Sequence, residues 1–542
     1  MIYTDMKNRY MPLMAALITA ASATAQNTVV VAKSQYTYYE GNESTCSGII
    51  MGSYRNDDVR DVRFTGADMV VTTKNGTQTT YGVADIERVQ HNTKGLNRID
   101  IFLPPSLEEY MDFDTSLDTP DAERTEGYAE VEFQTKRTVS INYNGSTVTV
   151  TGDTEGMQVN IDGADVSITS TDEGVEYIIT GESMDCSLTL NNSAGAQVRF
   201  DNASVHNIGA ATITATGDLL LTTAPSTRNR CGAVKAAGSL TFHGKGALNI
   251  VTTADDLHAA EADNLTVAGG TLNVYTGGDR ACGLLSHNDL TITNGSINII
   301  TTGTAPDDSS DTGSTAMKCL NASVSGGKIR IKTLGVYGGQ GLTGENGIAI
   351  TGGELAFVCN EDVLKADHGK IEILGGRHCL ISSVDDCVNC ADGIKLENCE
   401  LYAVGPYPEE SPFDNNGKAF TTQNARFFAI GSKSDKPITS KTKQPYLFIK
   451  KTFIPDNYVR ICDMDDNEIA TYATPVYANL STKKESQATI LFSFPDMEKL
   501  TNYKVYTAPS IQGGTEHWGE VTGATLVGAT LVDTVESTKC KE

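Results

Sequence analysis

Between residues 240 and 405 the sequence repeats itself, and few folds tolerate that. The stretches 265–274, 290–299, 322–331 and 348–357 each hold two apolar residues in alternation, a Gly-Gly, Asn-Gly or similar bend, and two more alternating apolar residues. Further copies begin at Leu240, Ile371 and Ile394. A period of two belongs to a strand with one buried face, so each unit reads as strand, corner, strand. The starting points lie 23 to 32 residues apart. Alternation excludes helical repeats, and the absence of an asparagine-leucine signature disfavours a leucine-rich horseshoe. The expected fold is all-β, a parallel β-helix in which Leu265, Val267, Leu272 and Val274 stack on Leu290, Ile292, Ile297 and Ile299. One coil buries too little apolar surface to offset the entropy of ordering it, so the stack needs caps at both ends.

The flanking sequence supplies candidates. Lys7 and Arg9 precede an apolar stretch at 11–25 that closes on Ala23-Thr24-Ala25, the pattern of a signal peptide, with Gln26 as the expected mature start. Export follows as an expectation: secreted, periplasmic or at the cell surface. No later run reaches 18 uninterrupted apolar residues, so no membrane span is expected. Residues 26–135 read as a small N-terminal β segment with an Asn75-Gly76 hairpin, joined through an acidic, Pro-containing linker at 104–126. A second hairpin, turning at Asn144-Gly145, leads into the coils at 136–405. Strands around Phe427, Tyr446, Tyr458 and Ile490 place a last coil and a β-rich cap at 406–510, and 511–542 form a tail. A monomer is expected.

Composition excludes one class of partner. Lys and Arg total 42 against 68 Asp and Glu, a formal charge of -26, so tracking a nucleic-acid backbone has no electrostatic basis. Twelve cysteines in an exported chain suggest disulfides or buried thiols. Cys387 and Cys390 form a C-x-x-C pair, but Cys379 and Cys399 are poorly spaced partners for a zinc site.

The turns between coils repeatedly begin with acids. Asp255, Asp256, Asp279, Glu361, Asp362, Asp385 and Asp386 stand 8 to 11 positions before the next coil's first inward aliphatic. Equivalent positions of a β-helix stack at about 4.8 Å, so carboxylates of neighbouring coils would repel. Calcium, which takes six to eight oxygen ligands, relieves that repulsion. The alternative is that each acid satisfies only the backbone of its own turn. Asp307, Asp308 and Asp311 occupy the longest step and read as a ligand loop. The acids from Asp463 to Glu468 lack the Gly and Glu of a calcium-binding helix-loop-helix and read as a hairpin tip.

The runs Asp385-Asp386-Cys387-Val388-Asn389-Cys390, Asp362-Val363-Leu364-Lys365-Ala366-Asp367 and Asp255-Asp256-Leu257-His258-Ala259 each precede a repeat unit. Together they resemble the Asp-Asp-Gly-Ile-His-Ala-Asp-Gly and Leu-Thr-Ile-x-Gly-Gly pattern of exported carbohydrate-binding β-helix proteins related to pectate lyases. Residues 175–181 and 198–202 resemble that family's first coils. The resemblance covers about residues 140–405 and implies a right-handed parallel β-helix, bound calcium and affinity for plant-type polysaccharides, particularly polygalacturonate. Cys387 and Cys390 replace the Gly and Ala of the motif, and Ala316-Met317-Lys318-Cys319 has no acid pair ahead of it.

An acidic glycan and a chain of charge -26 repel, so calcium, or cations such as Arg280, Lys318 and Lys365, would have to bridge them. The sole Trp, Trp518, lies outside the coils. A lyase would need calcium on the uronate carboxylate and a base, for which Lys365 is the candidate, its pKa lowered by the nearby metal. Paired carboxylates of a hydrolase are less well served, because Asp385 and Asp386 point to opposite faces if extended. His258 and His378 read as structural, although His378 fills an inward slot that is otherwise aliphatic. The expected function is calcium-dependent polysaccharide binding with no catalytic residue. A pectate-type lyase and an adhesive surface spacer are the alternatives.

Overall fold

The computed structural model describes residues 133–541 apart from short breaks at 208, 304–313, 336–337, 407–409, 454–457, 475 and 478–485, together with strand segments between residues 27 and 102 and residues 106 and 111. The expected signal peptide, the Asn75-Gly76 turn, most of the 104–126 linker, and Asp307, Asp308 and Asp311 lie outside the described residues. Among the described residues no helix is long and apolar enough to cross a membrane.

The repeat stacks as a parallel β-helix. Leu240 pairs with Leu265, and the column continues through Leu290, Ala322, Ile348, Ile371 and Ile394 to Phe420, every pairing parallel, with a register shift between Cys319 and Asn321 just ahead of Ala322. A second column runs from Leu248 through Leu272, Ile297, Ile329 and Leu355 to His378 and Leu401. Both columns are buried in one continuous core, His378 included at 2 % exposure. The 32-residue step does not disturb the stack, because its extra residues fall between the strands Ser296–Thr301 and Met317–Val324. The unit expected as two strands has a third, short one: Leu364–Ala366 and Val388–Cys390 each follow an acidic turn.

Each corner between the two expected strands needs a left-handed residue. Gly270, Gly295, Gly327, Gly353 and Gly376 occupy it with φ between +81° and +104°. A Cβ on Gly376 would stand 2.4 Å from the Gly353 carbonyl oxygen, so a side chain does not fit under the coil above. In the last coils Asn398 and Asn424 take over at φ +51° and +49°, asparagine being the residue that best tolerates this region after glycine.

On the opposite side of the second strand's backbone, Asn273 donates to the Asn249 side-chain oxygen at 2.6 Å and Asn298 to that of Asn273 at 2.7 Å. Arg330 closes the ladder by donating to Asn298 at 2.6 Å. Stacking thus satisfies amides that would each be costly to bury alone.

The ends are closed by antiparallel pairing. The hairpin Arg137–Asn144 with Thr147–Gly152 lies at the N-terminal end, its first strand also running parallel to Val175–Ser183. At the other end Ser486–Ser493 pairs antiparallel with Arg426–Gly431 of the last coil and with Leu447–Phe453. Beyond it, Tyr458–Cys462 pairs with Glu468–Ala473 and with Asn502–Ala508. Tyr472 stacks on Phe428 at 4.3 Å between ring centroids, covering the outer face of the last coils with aromatic surface. The tail joins this cap, since Thr530–Glu536 pairs with Asn502–Ala508.

The chain divides into two compact units. One comprises residues 1–110, 475–484 and 515–521, and the other 111–474, 485–514 and 522–542. The first contains the antiparallel pairs Asn27–Ala32 with Ile50–Arg55 and Asp68–Thr73 with Gln78–Gly82, the latter being the strands expected on either side of Asn75-Gly76.

Candidate functional site

The acidic turns precede the short third strand, so stacking of Lys365 on Asn389 fixes their relative height. The backbone NH of Val363 donates to the Asp386 carbonyl, laying one turn on the next. This brings carboxylate oxygens of Asp362, Asp385 and Asp386 within 4.8 Å of one another. Among the described residues they form the one such group of acids, histidines or cysteines.

Asp362 is fully buried. The Lys365 Nζ stands 3.3 Å from its Oδ2, and the Asn389 Nδ2 lies 3.3 and 3.4 Å from its two oxygens. Asp386 Oδ1 accepts from the Ser411 backbone NH at 2.8 Å and from its hydroxyl at 2.6 Å. Asp385 Oδ1 accepts the backbone NH of Asp386 at 2.9 Å. Burial, reinforced by Asp385, pushes the Asp362 carboxyl well above the usual carboxylate range. Burial also raises Asp385, and it takes Asp386 to about 7 against the opposing Ser411 hydrogen bond. Lys433, 3.2 Å from Glu410, lowers Asp385 at longer range. The Lys365 ammonium thus contacts Asp362, one of three crowded acids.

For Lys365 itself burial favours the neutral form, but Asp362, Asp367 and Asp385 outweigh it and raise the pKa. The neighbours within the chain thus act against the lowered value expected of a base beside calcium.

The other acids named from sequence have different surroundings. Glu361 accepts the Gly338 backbone NH at 2.8 Å through Oε2. Asp256 is gripped by Arg280 through Nε at 2.7 Å and Nη2 at 2.6 Å, which holds its carboxyl below the usual range. Asp255 accepts the Asp279 backbone NH at 2.9 Å. Asp255, Asp256 and Asp279 do not join the three-acid group, because they precede the strands Ala260–Ala262 and Leu284–Ser286 of earlier coils, whereas the group precedes Leu364–Ala366 and Val388–Cys390. Arg280, offered as a sugar contact, directs its fork at Asp256. Lys318 and Lys365 share one outward column with Thr343 between them, and Lys318 lies 3.9 Å from Glu345.

The two histidines are structural. His258 Nδ1 accepts the Cys282 backbone NH at 3.0 Å. His378 Nε2 lies 2.7 Å from the Gly375 carbonyl oxygen, so it reaches the corner, and the absent side chain of Gly376 leaves room for its ring. Burial pulls its pKa down to about 4, which keeps it neutral in the core.

Cys387 and Cys390 do not form a metal pair. Their sulfurs point into the core, Cys387 toward the Leu380 carbonyl and Cys390 toward those of Gly369 and Gly393. Ten of the eleven described cysteines are buried, in keeping with the buried-thiol alternative. The acids from Asp463 onward form the expected hairpin tip, Asp463 Oδ1 accepting the backbone NH groups of Asp465 and Asn467.

Sequence reasoning missed Ser411 as a partner of Asp386. It belongs to the irregular segment after the last clear repeat, where no pattern announces its place.

Residues 162–404 match a family model described as that of carbohydrate-binding domain-containing proteins. No curated protein matches the chain. A solved structure, described as a polysaccharide lyase-like protein from C. thermocellum in a gadolinium derivative, is 15 % identical. The match covers 54 % of this chain and 96 % of that one, with a TM-score of 0.27.

Proposed function

We propose that this protein is an exported polysaccharide-binding β-helix that holds calcium between Asp362, Asp385 and Asp386 and binds an acidic glycan of the polygalacturonate type without cleaving it. The observation that carries the metal reading is the convergence of three buried or half-buried carboxylates to within 4.8 Å of one another, with the Lys365 ammonium against Asp362. An all-oxygen donor set with that excess of negative charge suits a hard divalent cation and offers nothing to a soft one. The carbohydrate reading is supported by the family model matched over 162–404 and by the repeat itself. Export is supported by the charged and apolar pattern of residues 1–25.

Calcium bound there would neutralise the acids and present open coordination positions to a sugar carboxylate. The chain's own residues orient the group: Ser411 fixes one oxygen of Asp386, and Asn389 with Lys365 fixes Asp362. Lys365 is ill suited to proton abstraction, since the surrounding acids keep its ammonium charged.

Incubation with polygalacturonate, with calcium or with chelator, tests this reading. Calcium-dependent retention without unsaturated uronate product is expected. Formation of that product identifies a lyase, and no retention in either buffer rejects the binding function.

A further inference from the structure

The last coils carry a groove whose charge is opposite in sign to that of the whole chain. In Gly393–Glu397 the outward residues Lys395 and Glu397 alternate with the buried Ile394 and Leu396. In the parallel strand Ala419–Gln423, Thr421 stacks on Lys395 and Gln423 on Glu397. A loop then brings Lys441 and Lys443 over the same face. The buried Thr442 between them is pinned to Thr422: its hydroxyl oxygen lies 2.8 Å from the Thr422 hydroxyl and accepts the Thr422 backbone NH at 2.9 Å. The Lys443 backbone NH donates to the Thr422 carbonyl at 3.1 Å, and that of Lys541 to the Thr442 carbonyl at 2.8 Å. The half-open groove measures about 330 Å³, and its charged lining is three lysines and one acid. Glu397 is paired with Lys395, and Glu372 stands one coil behind Lys395 in the same outward column. Lys441 and Lys443 are exposed.

We propose that this groove is a second, calcium-independent subsite for an acidic sugar residue, its carboxylate or sulfate ester lying among Lys395, Lys441 and Lys443. The hydroxyls of such a sugar match Glu397, Thr421 and Gln423, a mixture of acceptors and donors that a bare inorganic anion does not need. The space suits a pyranose ring rather than a small ion. Lys441 and Lys443 lie beyond the stretch matched by the family model, whereas Lys395 and Glu397 lie within it. The inference rests on the polysaccharide-binding reading but not on its metal.

The test is titration calorimetry on the full chain in chelator, with trigalacturonate, a sulfated disaccharide and a neutral galactose trimer as probes. At least one acidic probe is expected to bind, more weakly as salt rises, while the neutral trimer does not; which acid binds identifies the group recognised. Lys441→Gln with Lys443→Gln is expected to weaken that binding at least tenfold, with the thermal unfolding midpoint unchanged. Equal affinity of variant and wild type overturns the proposal, as does failure of both acidic probes to bind wild type. Calcium-dependent retention on polygalacturonate, measured in parallel on the same variant, reports on the aspartate site separately. Its loss in both proteins, with chelator-resistant binding intact, would reject the metal reading and leave the groove standing.

Discussion

The Lys365 ammonium sits 3.3 Å from Asp362 Oδ2, at the bottom of a turn where Asp362 has no exposed surface. This pair meets because the short strand Leu364–Ala366 begins immediately after the acidic turn, putting a cation three residues beyond the acid it compensates. One ammonium does not balance Asp362, Asp385 and Asp386 together, and the raised carboxyl pKa values express that imbalance.

Substitution of Asp362→Asn removes the central acid at nearly constant shape. Calcium affinity measured by titration calorimetry is expected to fall at least tenfold, about 1.4 kcal/mol or more. In calcium-free buffer at pH 8 the same variant is expected to unfold at the same temperature as wild type or higher, because it no longer buries a crowded charge. A lower midpoint without calcium would show that Asp362 is a structural acceptor and not a strained ligand.

The calcium-free protein is expected to lose stability as pH rises. Asp386 titrates near 7 in the fold and near 4 in an unfolded chain, so its folded form holds the proton more tightly. That contribution is complete below about pH 4 and disappears as pH rises through 7, at up to about 1.4 kcal/mol per pH unit for each proton. Asp362 and Asp385 act in the same direction. Urea unfolding at pH 5, 6, 7 and 8 measures the slope, and saturating calcium should flatten it.

His378 contributes with the opposite sign. Its folded pKa of about 4 lies below the unfolded value near 6.5, so the unfolded chain takes up the proton first as pH falls. The stabilisation is present above 6.5 and is lost toward 4. At pH 5 the protonation penalty amounts to about 2 kcal/mol. His378→Leu restores the aliphatic column and is expected to gain more over wild type at pH 5 than at pH 8, read from unfolding midpoints.

The amide ladder offers a test of stacking energetics. Asn273→Ala removes one hydrogen bond in each direction and leaves the Asn249 oxygen and the Asn298 amide buried without that partner. Two such groups at about 1 to 3 kcal/mol each predict a loss of roughly 2 to 6 kcal/mol in denaturant unfolding. A loss below about 1 kcal/mol would mean that solvent reaches the ladder.

Much of the fold was legible in the chain. Leu240, Leu265, Leu290, Ala322, Ile348, Ile371 and Ile394, picked out by alternation alone, prove to be a single column of parallel neighbours. Gly-Gly and Asn-Gly marked the corners because φ near +90° is written in residue type. The candidate site was less legible. Asp255-Asp256 and Asp385-Asp386 look alike in sequence, yet the first pair meets Arg280 and turn amides while the second meets Asp362 and Ser411. His378 breaks the aliphatic pattern in sequence, and only the fold sets its ring against the Gly375 carbonyl.

The sequence by itself determined the repeat, its corners and its buried face, because periodicity and backbone conformation are local properties that recur in every coil. Only the tertiary structure decided which acids crowd together and which are neutralised, and that Lys395, reached along one coil, faces Lys441 and Lys443 from a later loop. Charge interactions depend on distances of a few ångströms between coils, and those distances are set by how each coil lies on its neighbour.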